Sequence, residues 1–255
     1  MICLLTSLAF SHPINDNIRS FNSHSKFDIP VLTDKQIDDL NSHKVVKILD
    51  SGDGMSKPKR GIGLLLTQAT PNDLWIAYSD DHFTLNPNFH YIQLEVKAQG
   101  NETWYGLVDL PWPFEDRHWV TTSWNNLEMA SLTNNQMWEH PWVKSPEFHE
   151  KARKVIASGV YPKLKAKNFD EAIFLPENSG ALATIKIGKS TLLIYHATGT
   201  IGGIIPDDLM LRYLLHSLTD LLNGIEERAL QNVKAHYTTG HKPVISGSGV
   251  LIPYY

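Results

Sequence analysis

Cysteine is nearly absent from this chain, which has one such residue, Cys3, among 255. A single thiol cannot form a disulfide within the chain, and it cannot supply the paired thiolates of a structural zinc site. A chain of this length does not need such cross-links, because it can bury a large hydrophobic core. The sequence therefore predicts a domain that is stabilised mainly by packing.

An excess of basic charge is also lacking. The chain has 23 Lys and Arg residues against 27 Asp and Glu residues. Proteins that bind DNA or RNA usually present a basic surface to the phosphates, so this balance argues against nucleic acid as a partner. No apolar run approaches the roughly 20 residues of a membrane-spanning helix. We therefore expect neither a nucleic-acid partner nor a transmembrane segment.

Catalytic motifs are missing as well. The sequence contains no nucleophile elbow, zinc-protease helix, dinucleotide-binding glycine pattern or pair of carboxylates at catalytic spacing. The glycines of residues 61–66 lack the lysine of a phosphate-binding loop, and the stretch is better interpreted as a strand. We therefore predict no catalytic residue and no cofactor.

Two groups of residues could suggest a metal site. Asp80, Asp81 and His82 are consecutive, and His236 and His241 are five residues apart. Consecutive residues seldom direct their side chains at one ion, and the histidine pair has no third ligand nearby in the sequence. We therefore predict no bound metal.

The N-terminus begins with a short apolar run, residues 2–10, followed by small residues. This pattern is typical of a signal peptide, although the basic segment that usually precedes it is missing. Residues 1–11 are therefore a candidate signal peptide or, alternatively, a buried first segment. We favour export to the periplasm or outside the cell, with a cytoplasmic protein as the alternative. Residues 12–32 are rich in polar side chains and are predicted to be a flexible leader.

The most prominent feature is a long amphipathic run near the C-terminus. Its leucines recur at helical spacing, with charged residues on the opposite side, which predicts a helix over residues 206–234. The preceding segments mostly have the composition of strands, at residues 45–49, 61–66, 91–98, 104–110, 117–124, 172–175, 181–187 and 192–198. Because so broad an apolar face needs a large surface to cover it, we predict an α+β fold. In this fold a curved antiparallel sheet wraps around the C-terminal helix.

Shorter helices are predicted at residues 33–43, 74–78, 127–138 and 146–158. The last two make residues 125–170 a helical insertion. Within it, Trp138, His140 and Trp142 could dip into a membrane, cover the mouth of a pocket or, as we prefer, close a small satellite core. The tail, residues 238–255, is expected to pack back on the domain.

Two motifs suggest a family. The stretch VDLPWPFEDRHWV, residues 108–120, resembles the strand, proline-aromatic-proline turn and arginine-initiated strand of START domains. These are lipid-transfer modules related to the steroidogenic acute regulatory protein. The stretch TIGGIIP, residues 200–206, resembles the glycine-rich approach to the C-terminal helix in that family. The chain departs from the pattern at His118, where the family usually has an acid, and it lacks a second arginine on the same strand.

The resemblance assigns a START-like lipid-binding domain to residues 33–237 and implies a helix-grip fold with an internal tunnel. The tunnel would hold a lipid or sterol-like molecule, with transient membrane contact during uptake. The candidate lining residues are Trp104, Trp119, Tyr195, Leu211, Leu215, Leu218 and Leu222. Asp109 and Arg117 flank the proline turn, where they would form a charged pair at one end of the tunnel or only pin the turn.

The same scaffold also occurs in polyketide cyclases and aromatases, which resemble START domains. In such an enzyme Arg117, Asp109, Tyr195 or His196 would orient or protonate the substrate. A titratable group deep in the cavity with a hydrogen-bonding partner favours the enzyme, whereas a lining of only aliphatic and aromatic groups favours carriage. A third alternative is an interaction module whose pocket has collapsed.

Overall fold

A computed structural model describes residues 12–52, 59–80, 89–97, 101–200 and 207–255. In these residues one sheet has the order β1-β2-β9-β8-β6-β5-β4-β3, and β7 pairs with β5 beside this path. Neighbours are antiparallel apart from β5 and β7. In chain order, β1 to β9 are Val46–Asp50, Arg60–Thr67, Phe89–Val96, Glu102–Val108, Arg117–Ser123, Met137–Lys144, Ile173–Phe174, Glu177–Ile187 and Ser190–Thr200.

Eight α-helices accompany the sheet in the described residues. In chain order, α1 to α8 are Pro13–Asn22, Asp34–Asn41, Pro71–Ser79, Leu127–Leu132, His149–Ala157, Ala166–Glu171, Asp207–Gln231 and Val233–His236. A capping box begins α2, where Thr33 and Gln36 bond each other's backbone N–H groups. The long C-terminal helix is confirmed as α7, which contains 25 residues. The predicted α+β class is therefore confirmed. None of the helices described is long and apolar enough to cross a membrane.

The two faces of the sheet bury different sets of helices. We call the face that contacts α7 the inner face. Helices α3 and α8 and the C-terminal tail also pack on this face. The core there includes Leu65, Trp75, Leu193, Leu222 and Ile225. The opposite, outer face is covered by α1 and α2 over β1, β2, β8 and β9. Helices α5 and α6 cover the outer face over β3 to β5. The C-terminal helix is thus held between the sheet and α3.

The prediction of a flexible leader at residues 12–32 is wrong. Residues 13–22 form α1, and Ile14, Ile18 and Phe21 are buried against the outer face of the sheet. The side chain of Asn15 accepts from the backbone N–H of Leu32 and donates to its carbonyl, both at 2.9 Å. The leader was missed because polar residues dominate its composition, although its three apolar residues recur at helical spacing.

The segment 125–170 is not wholly helical. The helix predicted at residues 127–138 ends at Leu132, and β6, Met137–Lys144, then enters the sheet between β5 and β8. Trp138 is buried in the main core, and His140 and Trp142 are half-buried, so these three residues do not form an exposed cluster. The second predicted helix exists as a turn of 3-10 helix, Pro146–Phe148, followed by α5.

The tail packs on the domain, as expected. Val244 and Ile252 are buried in the inner core. The hydroxyl of Tyr237 donates to the carbonyl of Ile252 at 3.0 Å and accepts from the backbone N–H of Val244 at 2.8 Å. The candidate signal peptide and the glycine-rich motif at 201–206 lie outside the described residues.

Candidate functional site

Aromatic side chains lie on the inner face of strands β3, β4 and β5. Cross-strand pairing places Tyr91, Gly106 and Trp119 in one row. The next row contains Gln93, Trp104 and Thr121. Because side chains alternate along a strand, the members of these rows point to the same face of the sheet. The ring of Tyr91 lies 6.1 Å from that of Phe89 and 6.2 Å from that of Trp119, between ring centroids.

Glycines make room for two of the tryptophans. A Cβ atom at Gly106 would overlap the indole of Trp119, and a Cβ atom at Gly180 would overlap the indole of Trp142. A glycine inside a strand often marks such a close approach. The indoles therefore lie across the inner surface of the sheet.

Two indole N–H groups of the inner face have acceptors. Trp104 Nε1 donates to Glu102 Oε2 at 2.7 Å, and Trp142 Nε1 donates to Asn178 Oδ1 at 3.0 Å. Such bonds allow a tryptophan to present its apolar ring without leaving a buried polar group unsatisfied.

Three tyrosines from different elements converge beside these rings: Tyr78 of α3, Tyr91 of β3 and Tyr195 of β9. Desolvation raises the pKa of Tyr91 to about 12. Desolvation, followed by repulsion from the other two phenols, raises the pKa of Tyr195 well above its usual value. The Tyr91 side chain nevertheless retains 55% of its accessible surface. Tyr91 therefore lies beside neighbouring aromatic rings and still has much of its surface uncovered.

The middle of α7 packs directly on the sheet. A Cβ atom at Gly63 would lie 2.9 Å from Leu222 Cδ1 and 3.3 Å from Leu218 Cβ. Leu218 and Leu222, both predicted to line a tunnel, are fully buried at this contact. Leu215 is half-buried, and the side chain of Leu211 lies outside the described residues. The helix and the sheet thus leave no space between them at Gly63.

Asp109 and Arg117 do not pair with each other. Asp109 is exposed, and its carboxylate lies 2.8 Å from His90 Nε2. Arg117 is buried, with 0% of its surface exposed, and donates to the backbone carbonyls of Glu115 and Asp116. The alternative interpretation from the sequence, in which Arg117 pins the turn, agrees with these bonds.

His196, a candidate in the enzyme hypothesis, lies on the outer face. It pairs with Ile62 and Ala181, and its ring centroid is 4.8 Å from that of Phe27. Desolvation, followed by repulsion from Arg60, lowers the pKa of His196 to about 3. His196 is therefore separated from the inner aromatic surface by the sheet.

His140 is a titratable residue of the inner face that the sequence analysis grouped with Trp138 and Trp142 but did not include among the candidate site residues. It pairs with Leu182, which in turn pairs with Tyr195. Its Nδ1 atom donates to Asn125 Oδ1 at 2.8 Å, and desolvation lowers its pKa to about 4. The alternation of Trp138, His140 and Trp142 is the signal that could have placed it on a strand.

A separate cleft of about 250 Å³ lies on the outer side, between the segment after α1 and strand β6. Its buried acid, Glu139, accepts from Ser25 Oγ at 2.5 Å and from Asn126 Nδ2 at 2.7 Å. Burial raises the pKa of Glu139 more than these two bonds lower it. The lining is largely polar and consists of His24, Lys26, Phe27, Trp124, Asn126, Glu128, Glu139 and Pro141.

A long C-terminal helix held against an antiparallel sheet, with aromatic residues on the inner face, defines a helix-grip protein. Comparison with solved structures shows that the fold is START-like. A STAR-related lipid transfer protein fragment from Xanthomonas axonopodis has a TM-score of 0.53 and 13% identity over 73% of this chain and 94% of that chain. Human STARD10 has a TM-score of 0.55 and 11% identity over 87% of this chain and 82% of that chain.

A third structure, human StAR-related lipid transfer protein 5, has a TM-score of 0.52 and 8% identity over 73% of this chain and 82% of that chain. At such low identities the likeness establishes the fold alone. No model of a known protein family matches the sequence. No curated protein sequence matches it either.

Proposed function

We propose that this chain binds a lipid or a similar hydrophobic molecule between the inner face of the sheet and the N-terminal half of α7. The observation that carries the proposal is the state of Tyr91, which keeps 55% of its accessible surface although its hydroxyl is desolvated. We infer that this side chain borders a space that a ligand can enter. An apolar guest in such a space would gain about 25 cal/mol for each Å² of apolar surface removed from water.

The contact at Gly63 favours one end of the sheet for this space. Leu218 and Leu222 fill the gap between α7 and β2, so a ligand would lie toward β3, β4 and β5. There the rings of Phe89, Trp104 and Trp119 offer apolar surface, while Gln93 and Thr121 offer uncharged hydrogen-bonding groups. We propose that the polar end of the ligand is bound by such neutral groups. Both acyl and sterol-like molecules meet this description.

A substitution on α7 tests the location of the ligand. Leu215→Trp enlarges a half-buried side chain on the predicted lining, and the larger ring would occupy the space of the ligand. Uptake of a fluorescent phospholipid from vesicles should therefore fall at least about tenfold. Leu230→Trp adds the same ring to an exposed position of the same helix and should leave uptake unchanged. Equal uptake by the two folded variants would refute this location.

We further propose that the proline turn contacts membranes during uptake. Trp112 is 92% exposed, and Phe114 beside it is 37% exposed. Indole rings are favoured at the interface between lipid and water. The acids Asp109, Glu115 and Asp116 flank these rings, so the turn suits neutral lipids better than anionic ones.

Vesicle sedimentation tests this contact. Trp112→Ala should reduce binding to neutral vesicles several-fold, and adding anionic lipid should not increase the binding of the unmodified chain. Val160→Ala removes a side chain that is also well exposed and serves as the control. Unchanged sedimentation of the Trp112 variant would exclude the turn as the contact.

An enzyme remains the second candidate because His140 is a titratable group of the inner face with a hydrogen-bonding partner. Its Nδ1–H bond to Asn125 leaves Nε2 as the basic atom of the neutral ring. A general base works best when its pKa lies near the working pH, and a pKa of about 4 makes His140 a weak base, which favours carriage. A cyclase would release one water for each ring it closes by condensation. Mass spectrometry of a bound polyketide-like chain should therefore show no loss of water with either the unmodified chain or His140→Gln.

Export is the last part of the proposal and rests on the apolar run at residues 2–10. N-terminal sequencing of the chain from its own host should find a mature protein that begins near residue 10 or 12. An intact Met1 in that material would contradict export through this segment.

A further inference from the structure

Two histidines and an aspartate that are distant in the sequence meet beside the C-terminal tail. Asp80 is the C-cap residue of α3, His236 is the last residue of α8, and His241 lies five residues further on. A turn at Gly240, whose φ of +100° suits glycine, brings His241 back toward His236. We call Asp80, His236 and His241 the Asp80 cluster.

The ligand atoms of the Asp80 cluster form a compact triangle. Asp80 Oδ2 lies 3.1 Å from His241 Nε2 and 3.6 Å from His236 Nε2, and the two Nε2 atoms are 3.0 Å apart. The sequence offered no third ligand for the two histidines, and the structure supplies one.

The size of this triangle fits one zinc ion. The point in the plane of the triangle that is equidistant from the three atoms lies about 1.9 Å from each of them. An ion placed about 0.8 Å above this point would have three bonds of about 2.0–2.1 Å, which are zinc distances. In a regular tetrahedral site with bonds of that length, the ion lies about 0.7 Å above the plane of three ligands. The fourth position would point away from the triangle.

Neighbouring bonds prepare His241 to act as a ligand. Its Nδ1 atom lies 2.8 Å from the carbonyl of Lys242 and donates to it, which leaves a lone pair on Nε2 in the neutral ring. Zinc-binding histidines usually have a bond of this kind on the nitrogen that does not bind the metal. The hydroxyl of Tyr254 donates to the carbonyl of His241 at 2.6 Å and helps to fix the turn.

We propose that Asp80, His236 and His241 form a Zn²⁺ site that ties the C-terminal tail to the ends of α3 and α8. Two imidazoles and one carboxylate are a ligand set that zinc accepts, whereas Ca²⁺ and Mg²⁺ prefer oxygen ligands alone. The side chains of Asp80, His236 and His241 are 5%, 29% and 17% exposed. The site is thus sheltered at the aspartate and open at His236, where a water molecule can complete the coordination.

Calorimetric titration of the full chain with zinc, after removal of metals by a chelator, tests the proposal. We expect one zinc per chain. Asp80→Asn and His241→Gln should each weaken the affinity at least about 100-fold, since even outer-shell partners are worth about 10–100-fold. His216→Gln changes an exposed histidine of α7 and should bind zinc as the unmodified chain does.

Either of two titration results would overturn the zinc site. One is no stoichiometric uptake by the unmodified chain, and the other is equal affinity in the Asp80 variant, the His241 variant and the His216 control. A measurement on the unmodified chain avoids variants that fail to fold.

Co²⁺ bound to the unmodified chain at this site should give the strong visible absorption of tetrahedral cobalt. The weak absorption of six-coordinate cobalt would overturn the proposal. Zinc should also slow amide hydrogen exchange in the tail, and unchanged exchange there would refute the tie to α3 and α8.

Discussion

At the scale of single residues, glycines determine where the tryptophans of the inner face can lie. Gly106→Ala would place a methyl group inside the indole of Trp119 and force that ring to move. Overpacking of this kind costs about 1–3 kcal/mol, and the displaced ring would also occupy the proposed ligand space. Urea unfolding should therefore show lower stability, and lipid uptake should fall.

A matched change on α7 serves as the control for Gly106→Ala. Gly224→Ala meets only the flexible end of Arg228, at 3.2 Å, and should stabilise the chain by up to about 1 kcal/mol because alanine favours helix. The same free energy of unfolding in both alanine variants would contradict the close contact between Trp119 and Gly106.

Buried His196 makes the stability of the chain depend on pH. Its pKa is about 3 in the folded chain and about 6.5 in an unfolded one, so the unfolded state binds more protons between these values. Stability is therefore complete above about pH 6.5 and is lost as the pH falls toward 3. The slope approaches about 1.4 kcal/mol per pH unit.

His196→Leu removes this titration. Between pH 6 and pH 5 the variant should lose about 1 kcal/mol less stability than the unmodified chain, as measured by urea unfolding at each pH. At pH 7 it should be at least as stable, because neither ring nitrogen of His196 bonds to another described residue. Identical pH dependence in the two proteins would show that His196 is already charged or exposed.

At the scale of elements, α1 is part of the core. Ile18 is fully buried against the outer face, so Ile18→Ala should lower the free energy of unfolding by about 2–5 kcal/mol. The adjacent Arg19 is exposed and pairs with Asp16, so Arg19→Ala should cost less than about 1 kcal/mol. Equal unfolding midpoints for the two variants in urea would instead support the flexible leader that the sequence predicted.

Two errors in the predicted sheet, at β6 and at the start of β8, arise where local sequence signals conflict with the structure. In β6 the alternation of Trp138, His140 and Trp142 indicates a strand, but Pro141 argues against one. β6 pairs with β5 only from Trp142 onward, so the proline lies where that ladder ends. Gly180 lies just before the strand predicted at residues 181–187 but belongs to β8, where the indole of Trp142 requires a residue without a side chain.

At the scale of the whole molecule, the sequence predicted the architecture better than the site. The leucine periodicity of α7 and the strand runs were enough for a sheet that holds a C-terminal helix. The inner face carries Trp104, Trp119 and Tyr195 as expected from those runs, and their contact with a ligand stays a prediction. Tyr78 could not be placed beside Tyr195, because the two come close only when α3 packs on the sheet. His140 could not be placed there because the sequence analysis assigned no strand to residues 137–144.

Native mass spectrometry of the full chain after incubation with mixed-lipid vesicles tests the central claim most directly. We predict a complex of one lipid with one chain, which is absent or much reduced for Leu215→Trp and retained for Leu230→Trp. A chain that appears only at its own mass would contradict the proposal that the START-like fold of this protein encloses a lipid.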